Sequence, residues 1–96
     1  MTYEALLKWV REDLIFRRLK LSDMGFSIDE IQEDTILFGD VGLSLDSIDG
    51  LELAVGIEQQ FGLKIGKLTS SIAREKFHSP RTITDFILEL QQASVG

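Results

Sequence analysis

Few residues of this chain could do chemistry, and the most suggestive is a serine that directly follows an aspartate, Asp46-Ser47. A serine hydroxyl is a weak nucleophile unless a neighbouring base activates it. The only histidine is His78, which lies shortly before Pro80, and the chain has no cysteine. A Ser-His-acid triad has no other base to draw on, so we interpret His78 as a surface or helix-end residue.

Taken alone, Asp46-Ser47 is typical of an ordinary helix start, because aspartate and serine are both favoured at N-caps. A second helix is predicted from about Ser47 to Phe61, with Asp46 as its N-cap. Gly62 then occupies the position just past the helix where glycine is favoured. The dipeptide by itself therefore indicates a cap, and a chemical role for Ser47 has to come from its context.

The elements that must position Ser47 follow from hydrophobic spacing and from helix-breaking residues. Before the second helix, a first helix capped by Thr2 is predicted from Tyr3 to about Lys20, and a long connection follows over about 21–45. After it, a third element is predicted around 69–77, and Pro80 bars its continuation. A last helix begins at Thr82, with Asp85 completing a capping box. No stretch shows the alternation of a strand. The fold class predicted is all-α: a four-helix bundle of three longer helices and one short one, with a long first loop.

The second helix carries an apolar arc that is wider than one core-facing stripe requires. One side holds Leu53, Ala54, Ile57 and Phe61, and a neighbouring side holds Ile48, Leu51 and Val55, bordered by Asp49, Glu52 and Glu58. The first group is assigned to the core. The second is either an exposed ridge for docking a partner or a surface covered by the long loop, and helical spacing leaves both possibilities open.

Composition predicts one domain spanning residues 1–96, with a net charge of −6. Residues 21–63 contain ten acidic side chains and no lysine or arginine. Such a block disfavours nucleic acid and anionic lipid as partners and favours proteins with basic surfaces. No uncharged run is long enough for a signal peptide or a membrane span, so a cytoplasmic location is expected.

The dense acids also raise the possibility of a calcium loop of the EF-hand type. That loop needs glycine at its sixth position and glutamate at its twelfth. Counted from Asp40, those positions are Leu45 and Leu51, and placing Gly50 sixth puts Leu45 first. The EF-hand hypothesis fails in both registers, and no metal site is predicted.

The context of Ser47 is a series of short motifs in a fixed order. They are Leu37-Phe38, Asp40-Val41-Gly42-Leu43, Asp46-Ser47-Ile48-Asp49, Leu51-Glu52-Leu53, Glu58-Gln59-Gln60-Phe61-Gly62 and, later, Thr82-Ile83 followed by Asp85-Phe86. This order resembles the acyl carrier protein family, most closely over residues 31–65 and in its stand-alone, specialised members. Two extra residues around Ser44-Leu45 depart from the shorter Gly-x-Asp-Ser spacing of many acyl carriers.

The resemblance implies a carrier without catalytic activity. Ser47 matches the serine to which a phosphopantetheinyl transferase attaches 4′-phosphopantetheine from coenzyme A. Acyl groups would be bound to this arm as thioesters in fatty-acid, polyketide or related specialised lipid biosynthesis. A helix start suits the phosphodiester, because backbone N–H groups and the helix dipole favour an anion there. A monomer is expected.

Further implications of the resemblance concern partners and cargo. The residues that match the helix recognised by acyl-processing enzymes with basic docking patches are Asp46, Ile48, Asp49, Leu51, Glu52, Val55 and Glu58. The hypothesised cargo pocket comprises Leu53, Ile57, Phe61 and Ile65. An aminoacyl or peptidyl carrier, and an unmodified helical adaptor that uses the same ridge, stay open as alternatives.

Overall fold

The first helix of the computed structural model, which describes residues 2–38, 42–66 and 69–95, changes type along its length. It begins as α1 (Tyr3–Trp9) and continues as a π-helical segment (Val10–Arg17). Thr2 caps it as predicted, its hydroxyl accepting a hydrogen bond from the Ala5 N–H at 3.1 Å. The helix stops before the predicted Lys20, because Lys20 adopts a left-handed backbone with φ 54°.

The long connection that follows is pinned to the core by its own side chains. It contains two 3-10 turns, Leu21–Met24 and Ile28–Glu30. Leu21, Ile31 and Leu37 are fully buried. Burial of these apolar residues is what allows so long a connection to be ordered in a small domain.

Helix α2 (Ser47–Phe61) has the predicted bounds. Asp46 and Asp49 form a capping box in which each carboxylate accepts the other residue's backbone N–H at 3.0 Å. Gly62 ends the helix with a left-handed backbone at φ 65°. Both ends of α2 are thus fixed by capping residues that could be identified from the sequence.

Helix α3 (Ser70–Lys76) is the short one, and Thr69 caps it through its hydroxyl, which accepts from the Ile72 N–H at 3.2 Å. Helix α4 (Pro80–Val95) begins two residues before the predicted start at Thr82. Ser79 is the residue that caps it: the Ser79 and Thr82 side chains accept each other's backbone N–H groups at 3.3 and 3.0 Å. Pro80 suits the first helical position, where no N–H is needed, and α3 has already ended at Lys76.

The four helices enclose one hydrophobic core, as expected for an all-α bundle. Its buried members are Leu6, Val10, Leu14, Ile15, Leu19, Leu21, Ile31, Leu37, Leu43, Leu45, Leu53, Ala54, Ile57, Phe77, Ile83, Phe86 and Ile87. Within the described part of the chain, extended pairing is limited to one isolated bridge between Phe38 and Leu45. No helix of that part is long and apolar enough to cross a membrane.

Basic residues from the two ends of the chain neutralise part of the acidic block. Arg81, at the start of α4, donates to the Asp34 carboxylate at 2.8 and 3.3 Å and pairs with Glu33 at 2.9 Å. The hydrogen bond from Arg81 lowers the pKa of the exposed Asp34 carboxyl below its ordinary value. Some of the central acidity therefore ties the long connection to α4.

A pair of glycines allows a test of how tightly the segment before α2 is packed. Gly42 (φ 68°) and Gly62 (φ 65°) have similar left-handed backbones, but a Cβ at Gly42 would lie 1.8 Å from the Ile36 carbonyl oxygen, whereas one at Gly62 would meet nothing within 4 Å. Gly62→Ala is expected to lower the free energy of unfolding by about 1 kcal/mol, because only the cost of placing alanine in a left-handed backbone applies there. Gly42→Ala should cost clearly more, measured by urea denaturation, and equal costs would contradict the close approach.

Candidate attachment site at the start of helix α2

Ser47, the serine predicted to be modified, is the first residue of α2, and its side chain is exposed to solvent. The capping box uses the Asp49 N–H, and the Gly50 N–H donates to the Asp46 carbonyl at 3.1 Å. The backbone N–H groups of Ser47 and Ile48 find no acceptor among the described residues. Two free N–H donors therefore flank an accessible hydroxyl at the positive end of a helix, an arrangement that suits an attached phosphate.

The extra residues before α2 fit the fold because buried and exposed side chains alternate there. Leu43 and Leu45 are buried, while Ser44 between them is exposed and takes a left-handed backbone with φ 53°. The Leu43 N–H donates to the Ile36 carbonyl at 3.0 Å and the Leu45 N–H to the Leu37 carbonyl at 2.7 Å. These contacts fix the chain just before Ser47; the motif residues Asp40 and Val41 lie outside the described residues.

A cleft of about 490 Å³ opens beside Ser47, between the start of α2 and helix α3. Its lining consists of Phe38, Leu45, Asp46, Ser47, Ile48, Gly50, Leu51, Thr69, Ala73 and Arg74. Most of these residues are apolar or small, and Asp46 and Arg74 are the two charged ones among the described residues of the lining. An arm attached to Ser47 would begin at the wall of a largely apolar cleft with one acid and one base on its lining.

The apolar ridge of α2 is exposed. Ile48 has 74% and Leu51 has 59% of its surface accessible, and Val55 is half-buried. Leu53, Ala54 and Ile57, on the other side, are buried in the core. The long loop therefore does not cover Ile48 and Leu51, which favours docking over the alternative of a buried arc.

Two of the predicted recognition acids have partners within the chain. The Glu52 carboxylate lies 2.9 Å from the guanidinium of Arg18, whose Nε also donates to the Glu52 carbonyl at 3.1 Å. Glu58 accepts the Ile65 backbone N–H at 2.9 Å. Gly56 makes room for Arg18, since a Cβ there would lie 2.9 Å from the Arg18 Cδ. These acids thus help hold the fold as well as facing solvent.

The hypothesised cargo pocket does not coincide with the cleft. Leu53 and Ile57 are fully buried, and Phe61 packs edge-on against Trp9 with 5.1 Å between ring centres. Ile65 is half-buried. None of the four lines the cleft beside Ser47. An acyl chain could reach Leu53 and Ile57 only by displacing core contacts, whereas the cleft is already open.

Sequence reasoning missed the α3 side of the cleft, formed by Ala73 and Arg74. No motif spacing relates these two residues to Ser47, whereas Phe38 on the same lining belongs to the Leu37-Phe38 motif. The signal that existed was general: Arg74 is one of several basic residues in the stretch between α2 and α4. Locating it beside the hydroxyl required the three-dimensional packing of α3.

Comparison with known protein families shows to which family this chain belongs. The family model described as a phosphopantetheine attachment site matches residues 17–87, which include α2 and its capping residue. This chain belongs to the phosphopantetheine attachment family. No curated protein and no solved structure matches it.

Membership of the family makes the protein a phosphopantetheine carrier, with 4′-phosphopantetheine as its covalently attached prosthetic group. Carrier domains of this kind are generally non-catalytic and generally interact with phosphopantetheinyl transferases and acyl-processing enzymes. The residues of this carrier protein fit the group: an exposed hydroxyl, two free backbone donors and an adjoining cleft lie together at the start of α2. When bound, the group supplies the thiol that a chain without cysteine lacks.

Proposed function

We propose that this protein is an acyl carrier protein, a single monomeric domain over residues 1–96 that acts in the cytoplasm in fatty-acid, polyketide or related specialised lipid biosynthesis. Ser47 is the attachment residue, and the chain itself performs no catalysis. The observation that carries the proposal is the exposed Ser47 hydroxyl at the first position of a capped helix, beside an open and largely apolar cleft.

In this proposal the chain presents the hydroxyl and another enzyme activates it. Within the described residues the one histidine, His78, has an exposed side chain, and its carbonyl accepts the Leu37 N–H, so it belongs to a contact between the α3–α4 linker and the long connection. During loading an Oγ–phosphorus bond forms, the phosphoanhydride bond of coenzyme A breaks and releases adenosine 3′,5′-bisphosphate, and the hydroxyl proton passes to a base of the transferase. The Ser47 and Ile48 N–H groups then face the new phosphodiester.

The cleft supports an acyl cargo in preference to an aminoacyl or peptidyl one. Phe38, Leu45, Ile48 and Leu51 offer apolar surface next to the attachment point, and burying a methylene group there is worth about 0.8 kcal/mol. Analysis of the thioester on protein isolated from its native host would test this choice. A fatty or polyketide acyl group is expected, and an amino acid or peptide would identify the other type of carrier.

The carrier proposal itself is tested by intact mass. The purified protein is incubated with coenzyme A and a broad-specificity phosphopantetheinyl transferase. A gain of one phosphopantetheinyl group is expected, because the hydroxyl is accessible without unfolding. A mass that stays unchanged while a reference carrier is fully loaded in the same mixture would favour the unmodified adaptor.

Partner docking is proposed to use the exposed ridge of α2, with Ile48 and Leu51 at its centre. Replacing either by serine is expected to lower kcat/KM for loading by the transferase about tenfold, the loss of roughly 1.4 kcal/mol of contact energy. The melting temperature should change little, because both side chains are already exposed.

Met24 is a matched control for these variants. It is 58% exposed, close to the 59% of Leu51, and it lies on the 3-10 turn Leu21–Met24. Met24→Ser should leave kcat/KM for loading unchanged. If Leu51→Ser and Met24→Ser behave alike, docking through the α2 ridge is wrong.

A further inference from the structure

We infer that Arg74 is a phosphate-positioning residue: its guanidinium binds the phosphodiester formed on Ser47 and holds the base of the arm against the cleft. The inference rests on the proposed attachment at Ser47 and extends it to a residue of α3. The observation behind it is that Ser47 and Arg74 line the same cleft.

Arg74 stands apart from the other arginines of the chain. Arg17 pairs with Asp13, Arg18 with Glu52 and Arg81 with Asp34, and Arg11 donates to the carbonyl of Ile31. Arg74 is exposed and has no ion pair or hydrogen bond to any residue that the structure describes. Its five N–H donors are therefore available to a ligand that enters the cleft.

The charge balance of the cleft predicts what that ligand is. Modification of Ser47 adds a negative charge next to Asp46 and close to Asp49, whose carboxylates are held in place by the capping box. Arg74 is the one cation among the described residues that line this cleft. A phosphodiester in this position would be repelled by the two carboxylates and attracted by Arg74.

The chemistry of the side chain and of the cleft also suits this role. Guanidinium groups bind phosphate oxygens through two parallel hydrogen bonds, and such charge-assisted bonds are stronger than neutral ones. Phe38, Leu51 and Ala73 form apolar parts of the lining. The free Ser47 and Ile48 N–H groups approach the same anion from the helix side, so Arg74 would complete a ring of donors around it.

The test compares the full-length protein before and after loading. Intact mass first establishes whether coenzyme A and transferase have added the phosphopantetheinyl group. The side-chain Nε–Hε resonances of the arginines are then recorded by NMR in the unloaded and loaded protein. On loading, the Arg74 resonance is expected to shift and its exchange with solvent to slow, while the Arg17 resonance stays in place.

Two variants with the same charge change provide the second readout. Arg74→Gln and Arg17→Gln each remove one exposed guanidinium, and Arg17 does not line the cleft beside Ser47. Loading should raise the melting temperature of the wild type and of Arg17→Gln, and Arg74→Gln should lose most of that rise. The rise is measured within each variant, so a general loss of stability does not affect the comparison.

The outcomes separate this inference from the proposed function. Full loading with an unmoved Arg74 resonance, or with an equal rise in melting temperature in the two variants, would overturn the role of Arg74 and leave Ser47 as the attachment residue. Absence of loading in the wild type would overturn both. A shifted Arg74 resonance together with a reduced rise in Arg74→Gln is the result we expect.

Discussion

Ser47→Ala is expected to abolish loading by a phosphopantetheinyl transferase, with no mass gain under conditions that load the wild type completely. Alanine keeps the backbone and removes only the hydroxyl that would form the new bond. Its fold should be retained, because the capping box of α2 uses the side chains of Asp46 and Asp49 and not that of Ser47. The effect is therefore on chemistry, and circular dichroism should show an unchanged helix content.

Ser44 is the matched control for this experiment. It is an exposed serine three positions earlier, but it sits in a left-handed turn and does not line the cleft. Ser44→Ala should be loaded like the wild type. If Ser47→Ala still gains the group, or if Ser44→Ala loses it, the assignment of the attachment residue is wrong.

Leu53→Ala is expected to lower the free energy of unfolding by about 2–5 kcal/mol, measured by urea denaturation. Leu53 is fully buried, on the face of α2 that packs into the core. Truncation removes apolar contacts and leaves a cavity that the surrounding helices fill only in part. For a domain of this size such a loss is a large part of the total stability.

The control for Leu53 lies two residues away on the same helix. Leu51→Ala removes the same atoms from a side chain that is 59% exposed, and it should change the unfolding free energy by less than about 0.5 kcal/mol. Similar costs for the two variants would show that α2 does not have one buried and one exposed apolar side.

Helix α2 could be predicted from the sequence to the residue because its signals are local. Asp46 and Gly62 mark its ends, and the spacing of Leu53, Ala54 and Ile57 marks its buried side. Whether the long loop covered Ile48 and Leu51 could not be predicted, since that depends on contacts between segments distant in sequence.

Two other features of the fold were not predicted from the sequence, namely the start of α4 and the π-helical segment. Pro80 was interpreted only as a barrier, yet it also starts α4, with Ser79 as cap. The π-helical geometry of Val10–Arg17 leaves no local mark in the residues. A proline can both interrupt one helix and start the next.

The candidate site, too, could be predicted from the sequence only in part. Ser47 and its helix could be found from motif order, but the cleft depends on α3, which brings Ala73 and Arg74 to the start of α2. Two of the acids predicted to face a partner also make contacts within the chain. Arg18 pairs with Glu52 and the Ile65 N–H binds Glu58, and no spacing rule predicts either contact.

The most direct test is a phosphorus–proton correlation NMR spectrum of the loaded, full-length protein. Such a spectrum links the phosphorus atom to the β protons of the residue that carries it. We expect a single phosphodiester signal coupled to the β protons of Ser47. Coupling to the β protons of another residue, such as Ser44, would contradict the proposed attachment site.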